Sequence, residues 1–435
     1  MKINRLMLCF FFLSGSFAAL FAQIPEVRVL IMYSESSVEM QSDSRLNIFD
    51  QDNKREQLRG QQSLFLRREG ETLALYDAGE KLIHRGNRLI IQNNDKNKDI
   101  RIKNVPQGIG WGREYKEDRT YKGSLEFFSN GSGDINVVNV LDLETYLYGV
   151  VPSEIGVNSP AEALKAQAIC ARTEAMVGLE TGKYAGPDYQ LTSDVMCQVY
   201  AGSGTANDAV RKAVDDTRGM VLTFRDTLIS AYYASTCGGH TESIEFVWPE
   251  RSGPTPYWKG HFDRPVGDSP DLTRADALRK WILDPPEVWC RPDSSTPDWM
   301  RNNFRWKTTI TPEQISKMLA EQYRDIGNVY DIVPLERGVS GRIYDLLFIG
   351  DKGHFRVKGE LNIRRLVSPP LRSSCFIVDK IGPVSAPASF IVSGAGSGHG
   401  VGMCQVGAIA MGRQNIPYTD ILAHYFRGAV LRKKY

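Results

Sequence analysis

The chain has 435 residues, of which 42% are hydrophobic and 24% charged, and its formal net charge is +2. This length allows a large buried core and predicts about two or three domains. The balanced charge does not indicate a nucleic-acid partner, so no nucleic-acid binding is expected.

The first 22 residues have the organisation of a secretory signal peptide. Lys2 and Arg5 precede the apolar run 6–13, and the segment SGSFAALFA that follows is rich in small residues and ends at Ala22. We predict cleavage after Ala22 and export to the periplasm or the extracellular space as a soluble protein. No later stretch has the ~20 apolar residues that a membrane span needs, so no span is expected in the mature protein.

Residues 23–140 are predicted to form a β-rich N-terminal region. Short apolar or alternating runs, such as EVRVLIMY, GNRLIIQN and GDINVVNVL, are separated by Gly, Asn and Asp. This pattern is typical of strands joined by turns.

A short helix is predicted to follow, with Asp142 as its N-cap and Gly149 as its stop. Glu154 would then lie on the turn that connects this helix to the next one. The surrounding segment, VVPSEIGVNSP, places this single carboxylate between a proline and a glycine.

The second helix is predicted to begin with a capping box. Ser159 would be the N-cap, Pro160 the first helical residue and Glu162 the third, and Gly182 would end the helix. Alanines occupy much of its surface, so neighbouring elements can approach closely. Any larger polar side chain on this helix would be enclosed and must be hydrogen-bonded.

The remaining sequence predicts an α+β fold with a mixed α/β catalytic core. This core comprises 141–245 and 307–435, and the insertion 246–306 interrupts it. The insertion holds six of the seven tryptophans and nine of the 21 prolines. Its tryptophans are expected either to form a small core of their own or to stack on a ligand.

A glycine-rich segment, SGAGSGHGVGMCQVGAIAMGR, surrounds His399 near the C-terminus. Its glycines allow the backbone to approach a ligand closely, which makes His399 a candidate site residue. The spacing matches neither nucleotide-binding motifs nor a serine nucleophile elbow. A cysteine nucleophile is also disfavoured, because Cys237 and His240 are close in sequence rather than in distant segments.

Six ordered segments resemble the stage II sporulation protein D family. They read NVLDLETYLYGVVPSEI, ALKAQAICARTEA, SDVMCQVYAG, AYYASTCGGHTES, LRSSCF and GSGHGVGMCQVGAIAMG. The resemblance implies a lytic transglycosylase that cuts peptidoglycan glycan strands stripped of stem peptides, or a relative that enhances cell-wall amidases. It also implies Glu154 as the catalytic acid, because Glu154 occupies the glutamate position of the V-P-S-E segment.

The chemistry of a lytic cut is compatible with one carboxyl group. The acid protonates the glycosidic oxygen, and the carboxylate then takes the proton of the muramic acid C6 hydroxyl, which closes a 1,6-anhydro ring. A hydrolase would need a second carboxylate. The acid needs a raised pKa, which apolar neighbours such as Val150, Val151 and Ile155 can supply. This mechanism requires no cofactor.

Other residues of the family segments are candidates for substrate binding or for hydrogen bonds that connect loops. They are Gln167, Arg172, Gln198, Tyr200, Ser235, Gly239, Thr241, Glu242, His399 and Gln405. Arg172 suits the lactyl carboxylate of muramic acid, because guanidinium groups bind carboxylates in a bidentate manner.

Three states of the cysteines are open. Some family members bind zinc through Cys and His in the segment that reads TSDVMCQVY here, which keeps Cys197 but has no His. Cys197, Cys237 and His240 would form a zinc site beside Glu154. Alternatively, Cys197 and Cys237 form a disulfide, since export favours oxidation, or both remain free thiols.

The sequence therefore predicts an exported lytic transglycosylase whose partner is the glycan strand of peptidoglycan. The alternative is a non-catalytic glycan-binding module that stimulates or recruits a cell-wall amidase. A purely structural envelope protein is disfavoured, because the family segments are intact.

Overall fold

The computed structural model describes residues 23–52, 54–58, 60, 62–108, 114–129, 134–251, 255–264, 267, 270–294 and 296–435. The predicted signal peptide lies outside these described residues. Within these ranges, no helix combines the length and the apolar character needed to cross a membrane.

The N-terminal region is rich in β-strands, as its alternating pattern predicts, and these strands form two sheets. Strands β1 to β12 are Glu26–Glu35, Ser37–Ser42, Leu46–Asp50, Arg55–Leu58, Gln62–Glu69, Thr72–Asp77, Leu82–Gly86, Arg88–Asn93, Ile100–Gln107, Tyr115–Tyr121, Ser124–Ser129 and Ile135–Asp142. These strands have the order β1-β12-β11-β8-β3-β4 in one sheet, which a later short strand, Leu191–Thr192, extends parallel to β1, and the order β10-β9-β2-β5-β6-β7 in the other. Adjacent strands in both orders pair antiparallel.

The first helix, α1 (Leu143–Ile155), is longer than predicted. Asp142 caps it as expected, since its carboxylate accepts the N–H three residues on. Gly149 does not end it, however. A Cβ at Gly149 would lie 2.3 Å from the carbonyl oxygen of Gly202, so this glycine permits close packing. Glu154 therefore lies in the last turn of α1 and not on a connecting turn.

The second helix, α2 (Ala161–Thr181), lacks the predicted capping box. The Ser159 hydroxyl donates instead to the last carbonyl of α1, at 2.7 Å. The Glu162 carboxylate accepts the backbone N–H of Tyr418, at 2.8 Å. Gly182 ends the helix in the left-handed conformation, as predicted.

The rest of the chain is mixed α and β, which confirms the α+β class. Up to residue 234 it forms β13 (Leu191–Thr192), α3 (Asp208–Asp216), β14 (Met220–Phe224), β15 (Thr227–Leu228) and β16 (Tyr233–Ala234). Two short 3-10 helices (Ile244–Phe246, Pro256–Trp258), α4 (Ala275–Leu283) and α5 (Asp298–Phe304) follow. The last part contains β17 (Arg305–Ile310), α6 (Pro312–Gln322), β18 (Val329–Arg337), β19 (Ile343–Gly350), β20 (Gly353–Lys358), α7 (Glu360–Arg364), β21 (Phe376–Ile381), β22 (Ser389–Ala395), β23 (Met403–Cys404), α8 (Gln405–Arg413), α9 (Tyr418–Tyr425) and β24 (Val430–Lys433).

Helix α2 lies at the centre of the helical part, packed against α1, α3, α8, α9 and β14. Its small side chains permit these close contacts. Apolar side chains of the N-terminal sheets, α1, α2 and α8 form one continuous core, and a second core lies among α6 and β17 to β22. The domain boundaries given above remain predictions.

Gln167 and Arg172 of α2 are fully enclosed, as predicted for polar groups on this helix. The Arg172 guanidinium binds the Glu144 carboxylate at 2.7 and 2.9 Å. Glu144 also accepts the backbone N–H of Gly219 and the hydroxyl of Tyr435. This buried network joins the first turn of α1 to α2 and to the C-terminus.

We predict that Arg172→Met lowers the free energy of unfolding by about 3–5 kcal/mol, because it leaves the Glu144 charge buried without its cation. Urea unfolding measures the change. The control is Lys212→Met, which removes an exposed pair with Asp216 and should change stability by less than about 0.5 kcal/mol. Equal effects of the two substitutions would contradict the prediction.

Candidate active site

The last turn of α1 faces a cavity of about 490 Å³. The cavity lies between this turn, the segments 195–199 and 397–399, β16 and the first turn of α8. Its polar and aromatic lining residues are Glu154, Glu174, Lys183, Tyr184, Cys197, Tyr232, Tyr233, Ser235, Trp248, Arg251, Glu360, Arg364, Ser397, His399 and Gln405.

Glu154 is held by one short and one long hydrogen bond. Its Oε1 accepts the backbone N–H of Val199 at 2.7 Å, and its Oε2 accepts from Nε2 of Gln405 at 3.5 Å. Burial raises the pKa of Glu154 to about 7, while these bonds and the Tyr233 hydroxyl oppose the rise. A group with this pKa can both donate and accept a proton at neutral pH.

The other two carboxylates that line the cavity are paired with cations. Glu174 contacts Lys183 and the Tyr184 hydroxyl, and Glu360 pairs with Arg364 at 3.7 Å. Among the described residues, Glu154 has no such ion pair. Glu154 is therefore the carboxyl group of this cavity whose proton is available.

His399 is a neutral donor and not a second acid. Burial, followed by the charges of Arg342 and Arg364, lowers the pKa of His399 to about 3. The backbone N–H of Val401 donates to Nδ1 at 3.1 Å, so the neutral ring carries its proton on Nε2. The glycines beside it are required for this path, because a Cβ at Gly402 (φ 76°) would lie 2.1 Å from a backbone oxygen.

Tyr232, Trp248 and His399 form an aromatic wall along the cavity. The Trp248 ring lies 4.9 Å from the rings of both Tyr232 and His399. The Arg251 guanidinium lies 4.6 Å from the Trp248 ring centre, and the Lys183 ammonium lies 4.4 Å from that of Tyr232. The wall therefore combines aromatic rings with two positive charges that lie over them.

The insertion's tryptophans occupy two different environments. Trp248 lines the cavity, whereas Trp281 packs into a small apolar core with Leu272 and Leu278. The insertion thus contributes both to its own packing and to the wall of the site.

Residues 131–224 match the family model described as Stage II sporulation protein. The chain contains a domain of the stage II sporulation protein D family. Residues 244–402 match a second model, described as a domain of unknown function. The resemblance inferred from the sequence segments is confirmed.

Three relatives illustrate the extent of the similarity. Stage II sporulation protein D of Bacillus amyloliquefaciens is 29% identical over 67% of this chain and 74% of its own length. An uncharacterised protein of Brachyspira hyodysenteriae is 29% identical over 71% of both chains. The amidase enhancer of Bacillus subtilis is 28% identical over 66% of this chain, and the match covers 40% of that relative.

The cavity joins the two matched regions. Glu154, Lys183 and Cys197 come from the first region, and Trp248 and His399 from the second. The site is complete only when both regions are docked together.

Of the predicted substrate-binding residues, Ser235, His399 and Gln405 line the cavity. Gln167 and Gln198 lie behind it. Gln167 Oε1 accepts from Gln405 at 3.3 Å, and Gln198 Oε1 accepts from the Tyr233 hydroxyl at 2.9 Å. These two glutamines do not line the cavity themselves but orient Gln405 and Tyr233, which do.

Five predicted residues lie outside the cavity lining, because other groups hold them elsewhere. Arg172 is bound to Glu144, Tyr200 donates to Asn139, Thr241 bonds His261, Glu242 accepts from Ser340, and Gly239 lies against Trp281. Arg172 is therefore a structural residue in this fold and does not reach a ligand in the cavity.

The predicted zinc trio does not come together. Cys197 lines the cavity and belongs to no group of three or more possible ligand side chains within the described ranges. Cys237 lies instead with Asp263, Cys290 and Cys404, and the His240 ring contacts the Thr241 carbonyl at 2.7 Å. The Cys197–Cys237 disulfide does not form either, since both thiols are free.

Several cavity residues were not identified from the sequence. Tyr233 lies inside the family segment AYYASTCGGHTES, which is a signal that could have identified it. Lys183 follows the glycine that ends α2, and Arg251 lies in the insertion, where no motif distinguishes it. Their positions become apparent only when the distant segments pack together.

We predict that Glu154 makes stability depend on pH. Its folded pKa of about 7 exceeds its usual 4.5, so the folded state binds more protons between these values. The free energy of unfolding of the wild type, relative to Glu154→Gln, should therefore fall as the pH rises from about 4.5 to about 7. Urea unfolding across this range measures it. The exposed control Glu313→Gln should show no such difference from the wild type. A difference between the wild type and Glu154→Gln that stays constant across this range would contradict the prediction.

Proposed function

We propose that this protein is an exported lytic transglycosylase that cleaves peptidoglycan glycan strands, with Glu154 as both acid and base. The observation that carries the proposal is the Glu154 carboxyl group, which is unpaired, has a raised pKa and faces a cavity with an aromatic wall. Family membership supports the assignment to the cell wall, and the signal-peptide pattern supports export.

Cleavage would proceed in two proton transfers. Protonated Glu154 donates to the glycosidic oxygen as the bond from that oxygen to muramic acid C1 breaks. The resulting carboxylate is stabilised by the Val199 N–H and takes the proton of the C6 hydroxyl. The C6 oxygen then bonds to C1 and closes the 1,6-anhydro ring. The reaction consumes no water and needs no cofactor.

The ion pairs of the other acids favour this route over hydrolysis. A hydrolase needs a second carboxylate to activate water or to attack the sugar. Glu174 and Glu360 are each engaged by a cation. Glu242, another buried acid of the family segments, is bound to Ser340 and lies outside the cavity lining.

The aromatic wall suits a sugar strand that carries free carboxylates. Ring faces bind the apolar faces of sugars, and Lys183 and Arg251 lie beside the Tyr232 ring. Removal of a stem peptide leaves the lactyl carboxylate of muramic acid free and charged. Lys183 is already paired with Glu174, so Arg251 is the cation that favours strands denuded of stem peptides, in the role first predicted for Arg172.

One comparison favours a second candidate function. A relative that covers 66% of this chain is an amidase enhancer, so the chain could bind glycan without cutting it and stimulate or recruit a cell-wall amidase. Both functions would use the same cavity. They differ in whether the proton of Glu154 is needed.

We predict that Glu154→Gln reduces cleavage of denuded glycan strands by at least about 10²-fold, because the amide cannot donate and recover a proton. Binding of the strands should be nearly unchanged. Mass spectrometry of soluble products measures cleavage, and co-sedimentation with insoluble glycan measures binding.

The matched control for this substitution is Glu321→Gln, an exposed change on α6 that should retain the full rate. A wild type that cleaves while Glu154→Gln cleaves equally well would refute the role of Glu154. A wild type that binds glycan and stimulates an amidase without cleaving would establish the second function instead.

We also predict that the new ends carry 1,6-anhydro rings and no oxygen from solvent. Cleavage in ¹⁸O-labelled water should therefore leave the products unlabelled, since the C6 hydroxyl supplies the attacking oxygen. Label at the reducing ends would show a hydrolase. The acid to test next would then be Glu174, since it lines the same cavity.

A further inference from the structure

Three thiols and one carboxylate meet in the interior, outside the cavity lining. Ligand atoms of Cys237, Asp263, Cys290 and Cys404 all lie within 4.8 Å of one another. All four side chains are buried, with exposures between 0 and 3%. Together these groups form a set of potential metal ligands, since the positive charge of an ion would allow the thiols to bind as thiolates beside the buried carboxylate.

The spacing of these atoms fits a tetrahedral metal ion. The sulfurs of Cys237 and Cys290 are 3.7 Å apart, and zinc–sulfur bonds of ~2.3 Å at tetrahedral angles place sulfurs about 3.8 Å apart. Oδ2 of Asp263 lies 3.2 Å from the Cys237 sulfur, close to the ~3.5 Å that a zinc-bound oxygen would have. We propose that Cys237, Asp263, Cys290 and Cys404 bind one structural zinc ion.

Backbone N–H groups already point at two of the sulfurs. The Cys237 sulfur accepts the N–H of Gly239 at 3.3 Å. The Cys404 sulfur accepts those of Cys237 and Gly407 at 3.2 and 3.4 Å. Such donors stabilise thiolates, which are the form that binds a metal.

The carboxylate of Asp263 is oriented by its second oxygen. Oδ1 accepts the Tyr425 hydroxyl at 2.9 Å and contacts Nε2 of His424 at 3.2 Å. Oδ2 is then left facing the Cys237 sulfur. Outer hydrogen bonds of this kind fix the orientation of metal ligands.

Positive groups surround the cluster and offset its charge. Three thiolates and a carboxylate around a divalent ion carry a net charge of −2. The guanidinium of Arg305 binds the Gly238 carbonyl, and that of Arg342 binds the Cys237 carbonyl. Cys404 is also the N-cap of α8, whose N-terminus carries a partial positive charge.

The site would link the insertion to the catalytic core. Asp263 and Cys290 belong to the insertion, Cys237 follows β16, and Cys404 ends β23. The next residue, Gln405, lines the cavity and contacts Glu154. All four positions are occupied by protein and none faces the cavity, so the ion would be structural. This inference does not depend on the proposed catalytic function.

The test is the metal content of the full chain purified without chelator. Elemental analysis should find one zinc per chain in the wild type and at least about tenfold less in Cys290→Ala and Asp263→Asn. The matched control is Cys375→Ala, a buried thiol outside the cluster, which should keep its zinc. Unchanged zinc in Cys290→Ala would overturn the proposal.

A second measurement on the wild type covers the case in which Cys290→Ala fails to fold. Replacing the metal with Co²⁺ should produce the strong thiolate charge-transfer and tetrahedral d–d absorption bands, and chelation should remove them and lower the unfolding temperature. Wild type that binds neither zinc nor Co²⁺ would refute the site. A disulfide between Cys237 and Cys290 would also refute the site. It would make the unreduced protein two hydrogens lighter than the reduced protein, and digestion would give the two cysteine peptides joined to each other.

Discussion

The ion pair between Arg172 and Glu144 determines where the proposed catalytic acid lies. It is enclosed between α1, α2 and the start of β14, and the guanidinium also donates to the carbonyls of Val214 and Met220. Glu144 stands in the first turn of α1 and Glu154 in its last turn. Because one continuous helix connects them, the fixed start of α1 fixes the end that reaches the cavity.

The cavity also depends on the docking of the second matched region. The first region supplies the acid and the Val199 N–H, but the aromatic wall and the glycine-rich path around His399 come from later segments. Gln405 connects the two, since its amide contacts both Glu154 and Gln167. Because residues of both matched regions line the cavity around Glu154, the burial that raises its pKa depends on the packing of the two regions together.

Much of the fold could be predicted from local patterns, and the importance of Glu154 for the proposed function was inferred from the family segments. Alternation identified β1, β8 and β12, and Gly182 marked the end of α2. The errors concern residues whose role depends on distant neighbours. Gly149 permits contact with Gly202 and does not end a helix. Arg172 suits a ligand carboxylate, but its partner is a carboxylate 28 positions away along the chain. Asp263 and Cys290 carry no motif, so the sequence could not reveal their approach to Cys404.

The unbroken course of α1 constrains the length of the chain between its two functional ends. Each residue of an α-helix advances ~1.5 Å and turns by about 100°. Deleting one residue between Glu144 and Glu154 would therefore rotate their side chains relative to each other by about 100°. If Glu144 kept its contact with Arg172, Glu154 would no longer face the cavity. Insertions and deletions that surface loops accept would not be tolerated here. The number of residues between these two glutamates thus sets the angle between their side chains around the helix axis, and the sequence has to preserve that number.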